Sequence, residues 1–192
     1  MDRRNVLSSI LAGSTFGFAG CTGDSGGSNS PEADDESDEP NVSQVSVSAE
    51  DHGNENSINT LTLRYATDTT AELDPPDSPA RSPDSGNKLV ILHTEVEVNR
   101  ETEGKIDVYG SAIGLEAGGV MYEGRSIPNL PELTQTARPE ATYEAWAQFE
   151  VPEDVTEATL IAVDVGAWFD SPTQILFERD ESRSSTIPEG ST

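Results

Sequence analysis

Cys21 and Ser25 are the first side chains whose surroundings suggest chemistry. Cys21 is the only cysteine among 192 residues, and a thiolate there would be a nucleophile, a redox centre or a metal ligand. Ser25 sits in Gly23-Asp24-Ser25-Gly26-Gly27, which satisfies the G-x-S-x-G spacing of an exposed nucleophile. Each chemistry needs partners that the local sequence lacks. A nucleophilic serine requires a general base and a rigid turn beside an oxyanion hole. Ser25 instead lies among Gly, Ser and Asp, and His52 and His93 are the only histidines in the chain. Cys21 has no histidine close by in sequence. The acidic run from Asp34 to Glu39 does not follow the D-x-D-x-D-G order of a calcium loop, the two histidines fall in different elements, and no GxxxxGK[ST] phosphate loop occurs. The expectation is a chain with no catalytic residue, no cofactor and no specific metal site, and a hydrolase is the weakest reading.

The role of Cys21 follows from what precedes it. Arg3 and Arg4 form a positive start, residues 6–20 a weakly apolar stretch, and the small residues Ala19 and Gly20 lead into Cys21. This is the order of a secretory signal. The stretch is broken by Ser8, Ser9, Gly13, Ser14, Thr15 and Gly17 and is shorter than the about 20 apolar residues of a membrane span. The adjacent arginines, followed by Val6 and Leu7, resemble a twin-arginine export signal. Phe18-Ala19-Gly20-Cys21 resembles a lipobox, which implies cleavage between Gly20 and Cys21 and lipid on the new N-terminal cysteine. With a single cysteine no intrachain disulfide can form, so a domain outside the cell must rest on its apolar core.

Residues 22–41 contain no large apolar side chain. At that composition they form a flexible tether spanning about 25 Å, lengthened by repulsion within the Asp34 to Glu39 run. Asn41-Val42-Ser43 at its end is an N-glycosylation acceptor pattern.

The charge balance excludes one class of partner. Lys and Arg number 11 against 36 Asp and Glu, a formal charge of −25, and such a surface repels nucleic acid. Dense surface carboxylates keep a protein hydrated and self-repelling in strong salt, where screening acts over about 3 Å at 1 M. Lys88 and Lys105 are the only lysines. Twin arginines, lipobox, acidic linker and acidic domain together resemble a haloarchaeal lipoprotein, which implies anchoring at the extracellular face of the cell membrane.

Apolar residues make up 33% of the chain, less than the roughly 45–50% of globular domains counted with Gly, and they gather between residues 42 and 180. Their period there is two. Val45 and Val47 alternate with serines, Leu61, Leu63 and Tyr65 with Thr and Arg, and Val90, Leu92, Thr94, Val96 and Val98 form one face of a nine-residue run. Further strands are expected at 105–110, 111–116, 120–123, 142–151, 159–165 and 173–179, with turns at Gly118-Gly119, Pro139-Glu140 and Pro152-Glu153-Asp154. About 7 to 9 short strands without helical periodicity predict an all-β, antiparallel, immunoglobulin-like sandwich. The chain divides into a signal (1–20), a lipidated cysteine and linker (21–41), the sandwich (42–180) and a frayed tail (181–192). A Pro-rich loop is expected at 67–87, where Pro75, Pro76, Pro79 and Pro83 cannot supply ladder donors.

The domain resembles the telokin-like, immunoglobulin-fold domains of unknown function found in prokaryotic lipoproteins. The likeness is carried by the long strand ending at Asn99, by Leu115 to Tyr122, and by Arg138-Pro139-Glu140 leading into Trp146-Ala-Gln-Phe149-Glu-Val151-Pro152. Glu140 stands where that family has Gly. The resemblance implies the sandwich and carries over no catalytic residue.

Alternation through 142–151 sends Tyr143, Ala145, Ala147, Phe149 and Val151 to the core and Trp146 to the other side. In the long strand it likewise places Leu89, Ile91 and His93 opposite the core. If the two strands are neighbours, an apolar strip forms. Trp146 with Ile91 and His93 is then a candidate face for a protein partner, unless the Pro-rich loop covers it, which is the expected arrangement because a long loop must pack somewhere. A small solute is the alternative ligand, in a pocket lined by Tyr109, Tyr122 or Trp168. The function expected from these residues is a monomeric, lipid-anchored binding or interaction module.

Overall fold

The computed structural model describes residues 42–54, 56–100, 106–108, 112–138, 140–163 and 172–188. Where apolar side chains alternate, the backbone is extended. The described strands are β1 (Ser46–Ala49), β2 (Asn59–Thr70), β3 (Asn87–Arg100), β4 (Ile106–Val108), β5 (Ile113–Ala117), β6 (Val120–Glu123), β7 (Gln135–Ala137), β8 (Thr142–Pro152), β9 (Glu157–Ala162) and β10 (Thr173–Arg179). No α-helix occurs among the described residues.

Two four-stranded sheets, ordered β1-β9-β5-β6 and β10-β2-β3-β8, are accompanied by the small pair β4-β7. The two sheets share one core. Val47 of β1, Leu115 of β5 and Leu160 of β9 pack with Leu61 and Leu63 of β2, Val90, Leu92, Val96 and Val98 of β3, Phe149 and Val151 of β8, and Ile175 of β10. Each such side chain withdrawn from water contributes roughly 1.5–3 kcal/mol, and alternation delivers every second residue of a strand to that core.

Strictly antiparallel pairing was expected, and each sheet departs from it at one edge. β1 runs parallel to β9, and β10 runs parallel to β2. The remaining sheet neighbours, β2 with β3, β3 with β8, β5 with β6 and β5 with β9, are antiparallel. A tight turn imposes antiparallel pairing, as Gly118 and Gly119 do with φ of 58° and 81° between β5 and β6. No such turn joins β1 to β9 or β2 to β10, and side-chain alternation carries no information on direction. β7 was not anticipated; it is three residues long and, among the described residues, pairs with β4, itself short.

β8 begins at a strained turn. Glu140 has φ of 58°, in the left-handed region that favours glycine, and its N–H donates to the Val98 carbonyl at 2.8 Å. At the opposite end of β3, Lys88 is completely buried. Its Nζ donates to the Ser43 carbonyl at 2.7 Å and the Ser43 hydroxyl at 2.8 Å, fastening the segment through which the chain enters the domain. Burial lowers the Lys88 pKa, against the opposing pull of Asp154 and Glu153.

Candidate functional site

The face of β3 and β8 turned away from the main core carries the distinctive chemistry. Antiparallel register sets His93 opposite Trp146, and their rings stack with centroids 3.9 Å apart and planes within 6°. Ile91 lies two residues along the same face. The three residues named from sequence are thus brought together, but they are enclosed: Trp146 is 4% exposed, Ile91 2% and His93 8%.

Three segments provide the cover. Leu73, from the Pro-rich connection between β2 and β3, forms a second apolar cluster with Leu89, Ile91, Ile127 and Trp146, joined by the half-buried Leu130 and Ile187. β2 continues to Thr70, so the irregular part of the expected loop is 71–86. The connection carrying Ile127 and Leu130 is tied to β8 by main-chain bonds: Arg125 and Gln148 exchange N–H groups and carbonyls at 2.9 Å, and the Trp146 N–H donates to the Pro131 carbonyl at 2.8 Å. The expected cover from the Pro-rich connection is present at Leu73, and the alternative of an open Trp146 docking face is not what the structure has, since Trp146 is buried. Part of the cover comes from residues 181–188, which sequence assigned to a frayed tail. One arginine and one isoleucine in a polar run carry too little periodicity to announce a packed segment.

This C-terminal strap is anchored by charge. A row of side chains crosses the sheet in register, Glu178 of β10, Arg64 of β2, Glu95 of β3 and Glu144 of β8. Arg64 donates to Glu95 at 3.0 Å, to Glu97 at 2.9 Å and to Glu178 at 3.2 Å, and the bonds to Glu95 and then Glu97 raise its pKa. Glu95 and Glu144 are directly opposed across β3 and β8, an arrangement that destabilises a sheet when both are charged and uncompensated. Arg183 of the strap compensates it: Nη2 donates to Glu95 at 2.9 Å and Nη1 to Glu144 at 3.3 Å. Asp180 lies 3.7 Å from Arg183 Nε. Its pKa is lowered chiefly by the Ser182 hydroxyl and N–H, with Arg183 adding to the effect.

His93 completes the anchor. Its Nδ1 lies 2.6 Å from the Ser184 carbonyl and its Nε2 3.4 Å from Arg183 Nη1. A carbonyl can only accept and a guanidinium can only donate, so these partners assign the imidazole proton to Nδ1. Neither partner is a nucleophile. His93 thus holds one carbonyl and one guanidinium of a segment that turns at 181–183 and bends at 186.

Space remains on both sides of the strap. A cleft of ≈ 540 Å³ is lined by His93, Pro131, Glu144, Trp146, Arg183 and Pro188 among others. A second, of ≈ 910 Å³, lies between residues 185–187 and the Pro-rich connection, with Asp68, Glu72, Asp74 and Asp77 at its rim. Tyr122, expected to line a solute pocket, packs against the main core, while Tyr109 and Trp168 lie outside the described residues. So do Arg3, Arg4, Gly20, Cys21 and Asn41. His52 is exposed and bridges Ile175 at the edge of β10. Among the described residues no group of three or more His, Cys, Asp or Glu could hold a metal ion.

Glu95, Glu144 and Arg183 were missed from sequence. The first had a signal, since alternation places Glu95 on the same face as His93; the pairing of Glu95 with Glu144 required the β3–β8 register, and Arg183 required the return of the chain.

No protein-family model, no curated protein and no solved structure matches this chain.

Proposed function

We propose that the chain is an exported lipoprotein whose acidic, immunoglobulin-like sandwich, of the telokin-like type, is displayed at the outer face of a haloarchaeal cell membrane and acts by binding. The observation that carries this reading is the order Arg3-Arg4, weakly apolar stretch, Gly20-Cys21, acidic linker, β domain. Lipid on Cys21 supplies the anchor, residues 22–41 the reach, and the carboxylate-rich surface keeps the domain soluble in strong salt.

Fractionation tests the address. Cys21→Ala moves the protein from the membrane fraction to the medium, and lysine at both Arg3 and Arg4 leaves the precursor inside the cell. A Cys21→Ala protein that stays on the membrane overturns the anchor; normal export of the lysine variant overturns the twin-arginine route. Crosslinking on intact cells at native salt identifies what is bound.

A small solute is the second reading, favoured by the ≈ 540 Å³ cleft beside His93 and Trp146, a volume within the range of ligand pockets. Quenching of tryptophan fluorescence by a solute at native salt, lost on His93→Ala in a folded protein, would establish it.

A further inference from the structure

We propose that the groove over β3 and β8 is a peptide-recognition site held closed in cis by residues 181–188, and that its partner in trans is a segment of another protein offering an arginine and, four positions later, an aliphatic residue. This rests on the binding reading above and is independent of the lipid anchor.

The strap is already seated as such a ligand would be. Arg183 fills a receptor built by the opposed Glu95 and Glu144, Ser184 presents its carbonyl to His93, and Ile187 packs beside Trp146, Ile91 and Leu73. A charge anchor, a main-chain contact and an apolar anchor in sequence are elements by which a peptide segment is recognised. Arg64 already pairs with Glu95, so the cation beside Glu144 relieves the remaining repulsion, and nothing in that contact requires that it come from the same chain.

The strap is also the cover least firmly attached. The Pro-rich connection is braced by reciprocal main-chain bonds between Leu73 and Arg81, and the 124–134 connection by those to β8. Beyond Asp180, whose N–H donates to Tyr65, the strap's backbone-to-backbone bonds among the described residues are local, such as Arg183 N–H to Asp180, and side chains tie it to the sheet, His93 at the Ser184 carbonyl among them. Clefts flank it on both sides. The anchor decides the occupant: the Glu95 and Glu144 pair takes an arginine, and a second copy of a chain carrying −25 is repelled at low salt.

The test uses the full chain bearing Arg183→Ala and Ile187→Ala, with a fluorescent synthetic peptide of residues 181–192 as probe, followed by anisotropy at low and molar KCl. The strap-weakened chain binds the probe at least about tenfold more tightly than the wild-type chain, and Arg183→Ala in the probe, or Glu95→Gln with Glu144→Gln in the chain, removes the gain. Equal binding by the wild-type chain, or none by a strap-weakened chain with native near-UV circular dichroism, overturns the proposal. Hydrogen exchange on the wild-type chain serves if the variant does not fold: residues 181–188 open well before 124–134, and equal protection of the two overturns it. A wild-type dimer in light scattering assigns the groove to a second copy and overturns the choice of partner. None of these outcomes bears on Cys21 fractionation, so the groove and the address fail separately.

Discussion

Glu150 shows how one carboxylate in a crowded acidic surface becomes structural. It accepts from Asn87 Nδ2 and from the Asp84 N–H, both at 2.9 Å, with Arg125 at 3.7 Å, and these bonds, Asn87 first, hold its pKa below the usual value. A depressed folded value means that its contribution is complete above the unfolded value near 4.3 and disappears as pH falls through the folded one. Glu150→Gln is expected to cost about 1 kcal/mol at pH 7, and urea titrations towards pH 3 should show the two proteins converging. Tyr143 has the opposite problem. Its hydroxyl is buried with no hydrogen-bond partner among the described residues, and burial pushes its pKa far up. Tyr143→Phe keeps the ring and removes the orphan group, so stability at pH 7 should be unchanged or higher by up to about 1 kcal/mol. Its raised folded value makes the wild type lose stability as pH climbs above the unfolded value of about 10, and this loss should be smaller in the variant over pH 8–11.

At the scale of elements, the turn before β8 lends itself to a backbone test. Glu140 occupies left-handed space at φ of 58°, which costs a residue with Cβ roughly 1–2 kcal/mol, whereas glycine loses about 0.5–1 kcal/mol more chain entropy on folding. Glu140→Gly should therefore stabilise by about 0.5–1 kcal/mol, read as a higher urea midpoint at unchanged slope. The two faces of β3 and β8 mark what was legible. Alternation alone sorted Val90, Leu92, Val96 and Val98 from Leu89, Ile91 and His93, and sent Trp146 with the second group, because a strand's side-chain period is geometric. What lies on that second face was not legible. Leu73, Ile127 and Ile187 belong to three segments far apart in sequence, none of them periodic.

For the whole molecule the formal charge of −25 predicts that stability depends on salt. Self-repulsion opposes compaction and weakens as the screening length falls from about 10 Å at 0.1 M to about 3 Å at 1 M. The thermal midpoint should rise steadily in KCl between these concentrations, and a flat response would show that the carboxylates are already balanced within the fold, as Arg64 balances Glu95, Glu97 and Glu178. Sequence by itself determined the acidic surface, the all-β class, the position of nearly every strand and the partition of side chains between two faces, since each depends on composition or on a period of two. Strand direction at the β1 and β10 edges, the closure of the Trp146 face and the seating of Arg183 between Glu95 and Glu144 were decided only by tertiary structure. Each depends on which distant segments become neighbours, and a cross-strand pair of like charges has no local signature until the register brings it together.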